Sequence, residues 1–124
     1  MGGAPARGPH AGLKLDSYTV VLLRRPSDGP QFSDEELEVL QRDHLAFNAR
    51  MRDSGLAVVT GPLRDQPDES LRGINVFRTS LEETRRLMQG DPMIRARRLA
   101  ADVMTWWVPA GALGDSPAAQ IGDP

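Results

Sequence analysis

A histidine set in an apolar stripe is the first residue of this sequence to invite a chemical reading. Leu37, Leu40, His44, Phe47 and Met51 recur at spacings of three and four, the period of one helical face, so His44 points with its apolar neighbours toward a core. An imidazole there can take up or deliver a proton near neutral pH. The structural alternative is a core histidine satisfied by one hydrogen bond, and position alone does not separate the two. Asp91 is similarly two-sided. Followed by Pro92, it has the form of a helix N-cap and first turn, which needs no function to explain it. A carboxylate brought to the second ring nitrogen of His44 would fix the tautomer and stabilise the protonated ring, as a general base requires. His44 and Asp91 are therefore the candidate catalytic residues.

Weaker candidates for substrate binding are Arg24, Asn75 and Trp106. Arg24 and Arg25 close the first apolar run beside a loop, where a guanidinium can hold a carboxylate or enolate oxygen, although solvated strand-end arginines are commoner. Asn75 is polar inside an apolar run, as a structural hydrogen bond or a ligand contact would require. Trp106 and Trp107 read first as packing residues, with substrate stacking as the alternative. The arginines at 78, 85, 86, 95, 97 and 98 read mostly as a charged helix face paired with Glu82, Glu83 and other acids.

Several chemistries are excluded by what the chain lacks. It has no cysteine, hence no disulfide, thiolate nucleophile or thiolate zinc site. Lys14 is the only lysine and falls near the N-terminus, which argues against a buried Schiff-base lysine. With only His10 and His44, a multi-histidine metal site is hard to assemble, and there is no phosphate-binding glycine loop or dinucleotide fingerprint. The expectation is chemistry with neither metal nor organic cofactor. A net charge of -2, from 15 basic and 17 acidic residues, points to neither nucleic acid nor an anionic membrane as partner. No stretch approaches the roughly 20 apolar residues of a membrane span, and MGGAPARGPHAG has no apolar run of signal-peptide type. A cytoplasmic protein acting on a small-molecule substrate is expected.

The elements that must position these residues can be read along the 124-residue chain. Residues 1–16 and 110–124, rich in Gly, Ala and Pro, read as flexible tails around one domain at 17–109. SYTVVLLRR predicts a strand over Tyr18 to Arg24, stopped by Pro26. Ser33 and Glu36 form a capping box, with Phe32 and Leu37 as a hydrophobic staple, and open a helix that runs to Ser54 with Gly55 as its left-handed cap. Strands follow at Leu56 to Thr60 and Leu71 to Arg78, joined as a hairpin. A second capping box, Ser80 and Glu83, opens a helix through Met88. Asp91 and Pro92 start a third over MIRARRL, and a last strand runs from Ala101 to Val108 with Trp106 and Trp107 on opposite faces.

Strand, helix, strand, strand, helix, strand is the ferredoxin-like βαββαβ order, an α+β fold with a four-stranded antiparallel sheet covered by helices on one face. In that fold the loop after the second helix lies at the same end as parts of the first, which can bring Asp91 to His44. The strands are apolar on both faces, so a second copy of the sheet is expected to cover the open side, giving a homodimer.

RDHLAFNARMRDSGLAVVTGPLRD, the strand LRGINVFR and SLEETRRLMQGDPMIRARRLAADVMTWW, in this order, resemble the YciI-related, or YCII, domain family over roughly Tyr18 to Trp107. The most specific marks are the helix histidine, Gly61-Pro62-Leu63 after the second strand, and Asp91-Pro92 after the second helix. The resemblance implies a dimeric α/β-barrel of ferredoxin-like subunits with a His-Asp dyad, here His44 and Asp91. Relatives include a dehydrochlorinase of chlorinated hydroxyquinols and muconolactone-type isomerases, which move a proton next to a carbonyl. The implied function is cofactor-independent general acid-base catalysis, by elimination, dehydration, isomerisation or cyclisation, on a small oxygenated metabolite of aromatic or polyketide-like type. A cofactor-free quinol-type monooxygenase and a non-catalytic ligand-binding module are the alternatives. The long loop after the first strand departs from the short members of the family.

Overall fold

A computed structural model describes residues 12–114. Its elements run β1 (Leu15–Arg24), α1 (Asp34–Asp53), β2 (Ala57–Pro62), β3 (Leu71–Phe77), α2 (Leu81–Met88), α3 (Pro92–Arg95) and β4 (Ala100–Pro109). The four strands form one antiparallel sheet in the order β2-β3-β1-β4, the ferredoxin-like arrangement. β1 begins at Leu15, inside the segment read as a tail, because Leu15 pairs with Pro109 and Ala110 N–H donates to the Lys14 carbonyl. Leu113 likewise packs against a buried cluster. Residues 1–11 and 115–124 of the two tails lie outside the described range.

Both α1 caps follow the sequence signals. Ser33 Oγ accepts from Glu36 N–H at 3.1 Å, Glu36 accepts in return from Ser33 N–H at 2.8 Å, and Ser54 ends the helix before Gly55 at φ 82°. A capping serine contributes about 1 kcal/mol. At α2 only half of the expected box forms. Ser80 accepts from Glu83 N–H, but the Glu83 carboxylate turns to Arg86 one turn on. α3 is shorter than MIRARRL. Arg97 adopts φ 61°, and the N–H groups of Arg98 and Leu99 both return to the Met93 carbonyl, so the chain folds back instead of continuing as helix.

Strand alternation divides the apolar residues between two faces. Val21 and Leu23 pack with Phe47, Ala57, Phe77, Met88, Met93 and Leu99 under the helices. On the other face Tyr18, Val20, Val76 and Val108 form a second cluster flanked by Leu22, Val58 and Ile74. Met104, Trp106 and Val59 stand exposed. Of the expected α1 stripe, His44 and Phe47 are buried, and Leu40 and Met51 pack half-buried against the first cluster. Leu37 instead lines a depression with loop residues between Pro26 and Phe32.

Candidate active site

Three elements converge on His44. It lies near the middle of α1, one turn before Phe47 and Asn48, and α1 rests on β2 and α3. The turn from α2 into α3 reaches α1 at Gly90. A side chain there would stand 3.3 Å from the Phe47 ring and 3.2 Å from the Leu87 carbonyl, so glycine lets the two segments approach without either having to give way. The next residue is Asp91. Its carboxylate is fully buried and does two things: Oδ1 accepts from Met93 N–H at 2.9 Å, capping α3, and both oxygens face His44 Nδ1, at 3.0 and 2.9 Å.

That geometry assigns the tautomer. A carboxylate placed symmetrically on Nδ1 requires the proton on that nitrogen and leaves the lone pair on Nε2. Nε2 faces Asn48 Nδ2 at 3.4 Å, a contact long enough for a substrate proton to displace. If Nε2 takes that proton, the positive ring is held against the Asp91 carboxylate, the arrangement a general base needs.

A cavity of about 360 Å³ opens at this point, within the range that accepts a small metabolite. His44, Asn48 and Asn75 line it together with Leu23 and Met93, and Arg25, Arg72 and Arg98 contribute to its wall. Asn75 is 1% exposed and Asn48 6%, yet Asn75 Nδ2, Asn75 Oδ1 and Asn48 Oδ1 have no hydrogen-bond partner. Buried amides are normally satisfied, so three open amide atoms at one cavity are unusual. Among the described residues no group of His, Asp and Glu is arranged to hold a metal ion, and no helix is long and apolar enough to cross a membrane.

Of the residues singled out in the sequence, the structure brings His44, Asp91 and Asn75 together. It does not bring Arg24 or Trp106 to the cavity. Arg24 falls on the opposite sheet face by strand alternation, where it pairs with Asp102 at 2.7 Å and Asp68 at 3.2 Å. Those two carboxylates hold the guanidinium above its ordinary pKa, and the Ser70 hydroxyl and N–H, followed by Arg24, hold the Asp68 carboxyl below its own. Trp106 pairs with Tyr18 on the same open face. Arg25, one residue on, turns to the cavity instead. Asn48 was missed, although a polar residue one turn after His44 was visible in the pattern. Arg98 was read as part of a solvated helix face, and the left-handed Arg97 that redirects it leaves no mark in composition or periodicity.

A second depression adjoins the cavity, sharing Arg25 and Arg98 with it and lined otherwise by the loop from Pro26 to Phe32, Leu37, Glu69, Ser70 and Arg97. Gly29 of that loop sits on the α3–β4 turn, so close that a side chain would meet the Arg97 carbonyl oxygen at 3.0 Å.

No family model matches the chain, and no curated protein does. Among solved structures it is similar to the 5-chloro-2-hydroxyhydroquinone dehydrochlorinase of Burkholderia phenoliruptrix AC1100 in complex with 2,5-dihydroxybenzoquinone. Identity is 16%, the match covers 79% of this chain and 99% of that one, and the TM-score is 0.48.

Proposed function

We propose that the protein is a small enzyme of the YCII-related type in which His44, oriented by Asp91, moves a proton next to a carbonyl of an oxygenated metabolite. One observation carries the reading. A buried carboxylate grips Nδ1 of the imidazole with both oxygens, and the same histidine lines a cavity of metabolite size. A histidine with only a structural task would be satisfied by one such bond and would need no cavity beside it.

The chemistry runs on the chain's own groups. His44 Nε2 takes a proton from the carbon beside the carbonyl, and the electron pair moves onto the carbonyl oxygen as an enolate. Asp91 holds the resulting imidazolium at Nδ1. Return of the proton to another atom completes an isomerisation. Attack of the enolate carbon on a second carbonyl of the same molecule, whose oxygen then takes the proton from His44, completes a cyclisation. Departure of a β-substituent with its bonding pair, as an anion or, protonated by His44, as water, completes an elimination or dehydration. Proton transfer of this kind contributes roughly 100-fold to 10,000-fold in rate.

The test is exchange in D2O. A panel of hydroxyquinones and β-keto acids is incubated with the full chain, and loss of the proton next to the carbonyl is followed by NMR. Wild type is expected to accelerate exchange, and His44→Asn, which keeps a donor for Asp91 but has no base at Nε2, to lose that acceleration. Exchange unchanged in His44→Asn would overturn the assignment, and oxygen uptake with a hydroquinone would favour oxygenase chemistry instead. The same reading includes a second copy of the chain over the open sheet face, where Met104, Trp106 and Val59 are exposed. Light scattering is expected to give about twice 13.6 kDa, and a mass near 13.6 kDa would exclude the dimer.

A further inference from the structure

The cavity wall carries four arginines, Arg25, Arg52, Arg72 and Arg98, and no aspartate or glutamate. Arg24 has two carboxylates, Arg42 has Asp43 and Arg86 has Glu83. Arg25, Arg72 and Arg98, which share the cavity wall, make no ion pair among the described residues. Partial desolvation, then the positive charges of Arg98 and Arg72, holds the Arg25 guanidinium below its ordinary pKa, so the three lie close enough to feel one another. The acidic residue lining the adjoining depression, Glu69, contributes its backbone carbonyl to Arg72 at 3.1 Å and no carboxylate contact to any of the three. A group of like charges at a cavity, with no carboxylate supplied by the protein, is a site for an anion.

The second observation is independent of charge. Asn75 and Asn48, both more than nine-tenths buried, line the same cavity and carry three amide atoms without a protein partner. Amides supply N–H donors for a carbonyl oxygen and C=O acceptors for a hydroxyl, but they do not neutralise charge. Two kinds of recognition therefore flank His44: guanidinium forks for an anionic end, and amides for a neutral oxygenated end.

We infer that the ligand of this cavity is a small oxygenated carboxylic acid, its carboxylate held by Arg25, Arg72 and Arg98 and its carbonyl or hydroxyl oxygens by Asn48 and Asn75, beside His44. The planar guanidinium matches a carboxylate through two parallel hydrogen bonds. A phosphate site of the usual kind would draw on a glycine-rich loop or the amides of a long helix N-terminus, and neither lines the cavity. The inference deepens the proposed function by naming the class of its substrate. During proton abstraction the carboxylate stays a spectator, and the enolate oxygen formed as His44 takes the proton accepts from the Asn75 amide.

Binding tests it without turnover. The full chain is titrated by calorimetry with salicylate, with its neutral isostere salicylamide and with inorganic phosphate, at fixed ionic strength. Salicylate is expected to bind at least about 10-fold more tightly than either of the others, since charged and bidentate contacts are the strong ones. The double variant Arg72→Gln/Arg98→Gln should lose that preference while still binding salicylamide. His44→Asn should retain salicylate affinity, so failure of the catalytic reading and failure of this one give different results. Equal affinity for salicylate and salicylamide, tighter binding of phosphate, or a salicylate affinity indifferent to the two arginines would each overturn the inference.

Discussion

Two buried polar clusters lie on the helical face of the sheet, and they are completed in opposite ways. Beside the start of α2, Thr19 Oγ1 donates to the Thr79 carbonyl at 2.7 Å and the hydroxyls of Thr79 and Thr84 meet at 2.7 Å. All three residues are buried, and every hydroxyl has a protein partner. Around His44 the Asp91 contacts are equally complete, yet the neighbouring Asn48 and Asn75 end on three unpartnered atoms. An unmet buried polar group costs about 1–3 kcal/mol. Of these two clusters, the one that lines a cavity bears that cost and the closed one does not. Polar residues at equal burial thus serve two ends, and their partners distinguish them.

The sharpest way to break the comparison is at Asp91. Because its carboxylate is 0% exposed, His44→Ala removes the partner of a buried charge, which typically costs about 3–5 kcal/mol. Adding Asp91→Asn is expected to restore part of the stability while leaving the protein inactive. A double variant no more stable in urea than His44→Ala would show that the two side chains are not an energetic pair. A smaller effect is expected in the closed cluster. Thr84→Val strands the Thr79 hydroxyl and should destabilise by about 1–3 kcal/mol with turnover unchanged. Equal melting curves for variant and wild type would mean that the threonines contribute nothing. Smallest in stability is Asn75→Leu. Both its polar atoms lack partners, so an apolar replacement of similar size should change stability by no more than about 1 kcal/mol, in either direction, while ligand binding is lost. A large loss of melting temperature would instead reveal a structural hydrogen bond.

Much of this was legible before any coordinates. Capping and turn chemistry are local, so Ser33, Gly55 and the Asp91-Pro92 pair declared their roles through neighbours a few residues away. His44 stood out because a titratable residue interrupted an apolar period. What the pattern could not supply was the third dimension at two adjacent residues. Arg24 and Arg25 are indistinguishable in sequence, but strand alternation sends the first to Asp68 and Asp102 and the second to the cavity. A one-residue choice of face decides between a neutralised arginine and an open one. Arg98 escaped for a different reason. It is redirected by a left-handed Arg97, a conformation that non-glycine residues adopt uncommonly and that no composition announces.

The contact of Gly29 with the Arg97 carbonyl bears on how such a protein can change its diet over generations. Residues 26–32 line the depression that adjoins the cavity, resting through Gly29 on the Arg97 carbonyl, and none of them lines the cavity beside His44. Lengthening or recolouring that loop can therefore alter which molecules enter while the proton-transferring pair, anchored in α1 and at the head of α3, stays in place. Loops carried on a rigid scaffold diversify in this way. Descendants of this chain would be expected to differ most at residues 26–32 when their substrates differ, and to keep glycine at position 29 for as long as the loop rests on Arg97.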